Sequence, residues 1–552
     1  MMILVLESSF KWSCLKLDQT EYNLNFYYVA EYEIKKSRLN FVYICILLFF
    51  SIVVFRLFYI VITNDKNKLK KEYDPRYFGK RGKIFDRNRI LVATDLKTKS
   101  LYASSILIKD SQLLVSRLSE LFPELDYKEL LKKINEGKKS KKWILIRRNL
   151  TPHEVNKIND LKIAGLIFED DLIRVYPQRE IASHLIGYVD SDRKGLSAIE
   201  MQYDEKLSES NSELELAMDV RIQDILHNEL IKGLIHYKAK GASGIVFDVN
   251  NGEIIAISSL PTFDPNLQKE ANEDERFNRA TNGVYELGSI FKIFTIANAF
   301  EKKLIKISDV YDVSEPIRYG RFTINDDHRY QDKMTVGEIF AYSSNIGTIH
   351  IAKKIGIESQ REFLQKLNLL SRLEAKFPGL RTPIFPKNKE WREINLFTIA
   401  YGHGIATTPL HIATAVSAIV NGGTLYQPSF LKLKEKPKGK KVFDEEASAK
   451  MREMIRMVVT KGTGRHSNID GYEVGGKTGT ANRAESGGYN EKSTIASFVA
   501  VFPSSKPQYL VLVVFDRSNY IFNTGGMVSA PVAGNIIKNI APILGVKPIL
   551  EN

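Results

Sequence analysis

Cysteine is nearly absent from this 552-residue chain: there are two, Cys14 and Cys45, and neither lies beyond the first long apolar run. The body of the protein can therefore build no disulfide framework and no thiolate metal site. The nine histidines nowhere take a His-Glu-x-x-His or related spacing, so a catalytic zinc has little support and no metal is expected. No internal repeat stands out. The formal net charge of +14 comes without any nucleic-acid-binding motif, so no nucleic acid is expected as a partner. Its lysines gather in short separate runs at 66–71, 138–142 and 432–441, which read as solvated faces or as loops near anionic lipid. With 44% hydrophobic and 26% charged residues, disorder, a fibre and a polytopic membrane protein are all poor fits. A single core seldom serves 552 residues, so an anchor and at least two domains are expected.

What is present starts with one long uncharged run, Phe41 to Phe55, extended past Arg56 by Leu57 to Ile62. With Arg56 snorkelling to the interface, the run reaches the roughly 20 residues that a membrane helix needs. It is longer than the apolar core of a signal peptide, and no small-residue cleavage site follows it. An uncleaved transmembrane helix over 39–63 is expected, preceded by a segment over 1–38. Lys35, Lys36 and Arg38 lie before the run and Lys66, Lys68, Lys70 and Lys71 after it, so charge alone does not orient it.

Residues 64–212 mix strand-like and helix-like stretches with basic loops and no cluster of reactive side chains, which suggests a non-catalytic module. From Glu213 to the end the pattern changes. A strand runs into an amphipathic helix over 214–230, and a hairpin is expected over 242–260 around Asn250-Asn251-Gly252. Helical sequence dominates 289–420, and apolar strands return at 495–502 and 509–515. Strands at both ends with helices between them predict an α+β domain over 213–552, one antiparallel sheet flanked by helices.

Three short motifs in that domain could carry chemistry. In the first, Ser289 and Lys292 open an apolar helix three residues apart and so share a face. A lysine beside a hydroxyl in a poorly hydrated place loses its proton more easily and can take the proton of an attacking serine. Alone the pattern is weak, since Ser8 and Lys11 match it too. The second is Ser343-Ser344-Asn345, which could equally be a buried helix turn. The third is Lys477-Thr478-Gly479-Thr480, where a cation and two hydroxyls flank a glycine that lets a substrate carboxylate and backbone come close. The stretch from Gly471 to Thr478 also satisfies the phosphate-loop pattern G-x-x-x-x-G-K-[ST]. That reading needs a helix directly afterwards, and the following residues are poor helix formers.

Ser-x-x-Lys, Ser-x-Asn and Lys-Thr-Gly in this order are the set shared by penicillin-binding proteins and β-lactamases. Around them the chain resembles the class B penicillin-binding proteins over nearly its whole length. In the first module the resemblance rests on Arg81 to Asn88, Arg174 to Pro177, His184 to Tyr188, and Glu200. In the second it rests on Pro261 to Asn266, Asn278 to Glu286, Tyr401 to Gly404, Thr408-Pro409, Asn421 to Gly423, Lys461 to Gly464, Gly471-Tyr472, Gly525-Gly526, and Ala530 to Val532. The phrasing before Ser289 is similar to the division-type branch. Leu287 departs from the usual proline, Ile290 from a common threonine, and Arg89 from a frequent glycine.

The resemblance implies a peptidoglycan D,D-transpeptidase with no cofactor. Ser289 would be the nucleophile, Lys292 its base, Ser343 a proton relay and Asn345 a backbone anchor. Lys477, Thr478, Gly479 and Thr480 would bind the substrate carboxylate, and the amides of Ser289 and Thr480 would hold the oxyanion. Implied partners are lipid-linked muropeptide and nascent peptidoglycan, β-lactams, a polytopic septal glycosyltransferase and other divisome membrane proteins. The implied location is the inner membrane, with the N-terminus cytoplasmic and the catalytic domain periplasmic. An elongation-type enzyme, a β-lactamase or β-lactam sensor, and a catalytically silent scaffold are the alternatives.

Overall fold

A computed structural model describes residues 40–56, 80–140, 143–209, 211–320, 322–328, 331–387, 390–485, 488–518 and 523–549. The chain divides into a unit ending at Phe78 and a unit from Gly79 onward. In the first, residues 40–56 form a helix whose apolar side chains, among them Phe41, Leu47, Phe49 and Phe55, are exposed. Among the described residues no helix is long and apolar enough to cross a membrane. At 1.5 Å per residue, helix 40–56 spans only about 26 Å of a hydrocarbon core of roughly 30 Å. The rest of the expected span over 39–63, like the segment over 1–38 and the Ser8–Lys11 match, lies outside the described residues.

The second unit opens with a five-stranded sheet. Its strands are β1 (Lys83–Phe85), β2 (Leu91–Ser104), β3 (Trp143–Leu150), β4 (Leu166–Val175) and β5 (Glu213–Glu215). The long β2 organises it, pairing antiparallel with β1, β3 and β4, while β5 runs parallel to β1. Helices Ser111–Leu121, Tyr127–Ser140 and Pro152–Asp160 accompany this sheet. Leu101 and Ile144 from the sheet and Leu114, Leu118, Ile134 and Ile158 from the helices form one core. Helix Pro152–Asp160 starts on a capping box, with Thr151 and Glu154 bonding each other's backbone amides and Pro152 in the first turn.

At the base of this module, side chains distant in sequence meet in a buried ionic cluster. Arg81 Nε lies 2.7 Å from Glu200 and Arg174 Nε 2.8 Å from it, while Arg174 and Arg193 reach Asp95 at 3.2 and 2.8 Å. The Arg81, Arg174 and Glu200 of the sequence motifs are thus parts of one object. Arg89 has φ +67°, a left-handed conformation that glycine adopts without steric cost.

The domain that follows is built on a second sheet. It comprises β6 (Gly241–Asp248), β7 (Ile254–Leu260), β8 (Gly475–Glu485), β9 (Gly488–Phe502) and β10 (Tyr509–Ser518), in the order β8-β9-β10-β6-β7 and antiparallel throughout. The expected hairpin is β6–β7, turning at Gly252 with φ +86°. Alternate side chains enter two cores. Ile245, Phe247, Val499, Leu510 and Leu512 face one; Val246, Phe498, Ala500, Val511 and Val513 face the other. Helices α1 (Val220–His236) and α7 (Gly525–Ile540) cover the latter. The other face is covered by α2 (Lys292–Glu301), α3 (Val336–Tyr342), α4 (Asn345–Ile355), α5 (Pro409–Val420) and α6 (Glu445–Thr460). The architecture is therefore a small mixed module followed by a helix-flanked antiparallel sheet.

Candidate active site

Each of the three motifs sits where regular structure begins or breaks. Ser289 lies in a single 3-10 turn, Gly288–Phe291, and Lys292 is the first residue of α2. Ser343 ends α3 with φ +67°, and Ser344 caps α4 by accepting from Gly347 N at 3.0 Å. The second motif is thus a break between two helices and not a buried helix turn. Lys477 to Thr480 lie on β8, an edge strand. A strand, not a helix, carries Lys477, which removes the phosphate-loop reading.

Glycines bring these pieces together. A Cβ on Gly288, whose φ is +51°, would meet the Thr480 carbonyl oxygen at 2.2 Å, and one on Gly402 would meet the Gly288 carbonyl oxygen at 2.0 Å. The turn that carries Ser289 is thereby clamped between β8 and the 401–404 loop, as only glycine permits. Gly525 and Gly526, at the start of α7, approach the backbones of Gly479 and Thr463 in the same way.

Ser343 Oγ is the hub. Lys292 Nζ donates to it at 3.1 Å and Lys477 Nζ at 2.9 Å. Lys292 also donates to the Ser343 carbonyl at 2.5 Å and to Asn345 Oδ1 at 2.7 Å. An ammonium has three protons, and three acceptors take them. Accordingly no hydrogen bond links Lys292 to Ser289 among the described residues.

Both lysines are fully buried. Burial lowers the pKa of Lys292 from 10.5 to about 8, against the opposing pull of Asp327 and Asp326. That shift corresponds to roughly 3 kcal/mol against the charged form. Burial, and then the neighbouring charge of Lys292, push Lys477 well below the usual lysine value, again opposed by Asp327. Two cations on one hydroxyl compete, so a proton gained by one favours its loss from the other.

The motifs open on a cleft of about 330 Å³. It is lined by Ser289, Ser343, Thr478 and Thr480, together with residues the sequence did not single out as reactive, notably Asp326, Asp327, Arg465 and His466. Asp326 joins the loop after Phe322–Ile324 to the second motif. Its carboxylate accepts from Ser344 Oγ at 2.7 Å, from Ile346 N at 3.0 Å and from Asn345 N, a favourable place for an anion at the start of α4. Thr463 and Thr478 share a hydrogen bond at 2.7 Å, and Thr480 Oγ1 accepts from Gly525 N at 3.0 Å. Both threonines of the third motif are thus oriented from behind. An acidic dipeptide before a distant helix has no local signature, so Asp326 was invisible to motif reading.

A half-buried serine, two buried lysines sharing a second serine, and an edge strand that can pair with an extended peptide make a site suited to acyl transfer. Residues 242–538 match the penicillin binding protein transpeptidase domain, and residues 77–227 the penicillin-binding protein dimerisation domain. A probable peptidoglycan D,D-transpeptidase FtsI from Caulobacter vibrioides is 34% identical over 85% of this chain and 82% of its own length. Peptidoglycan D,D-transpeptidase FtsI from Escherichia coli is 26% identical, over 91% of each chain. The crystal structure of a peptidoglycan synthetase from Bifidobacterium adolescentis has the same fold, with a TM-score of 0.69 at 20% identity, covering 86% of this chain and 97% of that one. With its motifs in one cleft and both family domains in sequence, the chain belongs to the class B penicillin-binding proteins, as a division-type peptidoglycan D,D-transpeptidase.

Proposed function

We propose that the protein crosslinks stem peptides of septal peptidoglycan through an acyl-enzyme on Ser289 and that β-lactams acylate the same hydroxyl. The observation that carries this reading is the Ser343 hydroxyl held by both Lys292 and Lys477 in the cleft that Ser289 lines. A stem peptide lies along β8 with its terminal carboxylate on Thr478, Thr480 and Lys477. That anion favours charge on Lys477, and the repulsion between the two ammoniums then drives the proton from Lys292. Lys292, now neutral, takes the proton of Ser289 as its oxygen attacks the carbonyl between the two terminal D-alanines. The amides of Ser289 and Thr480 stabilise the oxyanion, each by roughly 3 kcal/mol in a dry site. Ser343 passes a proton to the leaving amine, and D-alanine departs. Asn345 steadies the peptide backbone.

The reading extends to location and partners. The apolar run over 41–62 anchors the chain in the inner membrane, with the N-terminus cytoplasmic and the domains from about residue 64 periplasmic. A polytopic glycosyltransferase supplies the glycan strands, meeting this chain through the anchor and the first module together with other divisome proteins. Removing residues 1–63 is expected to move the protein from the membrane pellet to the soluble fraction.

Labelling with a fluorescent penicillin tests the chemistry. A stable adduct that maps to Ser289 and is absent from Ser289→Ala is the expected result. Folded wild type that takes no label would leave the scaffold alternative standing, and rapid turnover of penicillin would favour a β-lactamase.

A further inference from the structure

Transpeptidation needs a second substrate, an amine that reaches the acyl-enzyme ahead of water, and none of the residues assigned above binds it. The cleft holds one carboxylate with no assigned work. Asp326 is spent on the start of α4, but the adjacent Asp327 lines the same cleft, is exposed, and makes no ion pair or hydrogen bond among the described residues. It is also held in place. Asp326 staples the loop to Ser344 and Ile346, and Asn345 Nδ2 donates to the Asn325 carbonyl at 3.0 Å, so the two residues that precede Asp327 are tied to the second motif. The charge of Asp327 acts on both Lys292 and Lys477, favouring their protonated forms.

Resting on the acyl-transfer reading, we propose that Asp327 is the acceptor-binding residue, which captures the ammonium of the incoming strand and delivers it to the Ser289 ester. A fixed carboxylate attracts an ammonium and offers nothing to the carboxylate-bearing donor, so it separates the two substrates by charge. The acceptor then sheds one proton to solvent. Its nitrogen attacks the ester carbonyl, the new C–N bond replaces the bond to Ser289 Oγ, and the nitrogen's second proton returns to that oxygen. Water carries no positive charge and gains nothing from Asp327, so the residue sets the ratio of crosslinking to hydrolysis.

The test uses full-length protein in detergent, a thioester analogue of the donor peptide, and D-alanine as the acceptor amine. Transfer and hydrolysis products are counted from the same reaction. For Asp327→Asn the ratio of transfer to hydrolysis is expected to fall at least tenfold, with Asp327→Glu recovering much of it. An unchanged ratio, with both products reduced together, would overturn the proposal and make Asp327 a residue that acts on the lysines or on folding. Wild type is tested separately for penicillin labelling at Ser289, so failure of the underlying acyl-transfer reading would show there and not in the ratio.

Discussion

As the proposed base, Lys292 starts in the wrong protonation state. At neutral pH its pKa of about 8 leaves it mostly charged, with all three protons donated to Ser343 and Asn345. A base must be neutral, so activity of the free enzyme should rise with pH and level off above the Lys292 pKa. The second-order rate of penicillin acylation is expected to climb close to tenfold per unit below pH 7 and to bend near pH 8. A profile flat from pH 6 to 9 would remove Lys292 from that role. The geometry also supports the different work proposed for the two lysines despite equal burial. Lys292 is saturated by three acceptors of one helix break, whereas Lys477 has Ser343 Oγ and a longer contact to the Thr478 carbonyl at 3.3 Å, and is the freer to take an anion.

Elements matter here mostly where they end. The 3-10 turn of Ser289, the left-handed Ser343 and the edge strand β8 each leave backbone groups that a continuous helix or inner strand would consume. Gly288 shows how tightly the turn is seated. Gly288→Ala adds a Cβ 2.2 Å from a carbonyl oxygen at a φ of +51°, and must move either the nucleophile or β8. It is expected to destabilise the protein by about 1–3 kcal/mol. The same shift should slow acylation by at least about a hundredfold, since a displacement of about 1 Å can cost that much. Comparing thermal unfolding with labelling rate checks both; labelling of Gly288→Ala at the wild-type rate would show that the clamp is dispensable. In the first module, Glu200 is fully buried between Arg81 and Arg174. Glu200→Ala would leave two buried guanidiniums without it, at a cost of about 3–5 kcal/mol. Denaturant unfolding reads this directly, and a change under 1 kcal/mol would mean that water replaces the carboxylate.

Across the unit from Gly79 onward, the two modules are not separable at the point where the sequence pattern changes. β5, at 213–215, completes the first sheet beside β1, and Leu214 and Leu216 share a continuous core with Ile84, Ile245 and Ile290. Asp86 adds to the joint, accepting from Asn88 N and Ile90 N in its own loop and from Val220 N at the start of α1. A chain begun at Glu213 would expose these apolar side chains and lose the β1 pairing. It is expected to aggregate or to bind fluorescent penicillin poorly, whereas a chain begun at Gly79 keeps the joint and should label normally. Equal labelling of the two would show that the catalytic domain folds without its neighbour.

Much of this was readable from residue order. The three motifs, the hairpin at Gly252, the strands near 495 and 509 and the absence of a helix after Lys477 follow from local rules of periodicity, turn chemistry and spacing, which act over a few residues and need no partner. The same rules placed Ser289 and Lys292 on one helix face, and there they stopped. Which acceptors saturate Lys292, that Ser343 is shared by two lysines, that Asp326 staples a loop and leaves Asp327 unpaired among the described residues, and that β5 belongs to the first sheet are all decided by contacts between residues far apart in the chain. Spacing along a chain limits what neighbours can do. Only packing, through burial and the demand that buried polar groups be satisfied, settles which distant side chains share a hydrogen bond or a charge.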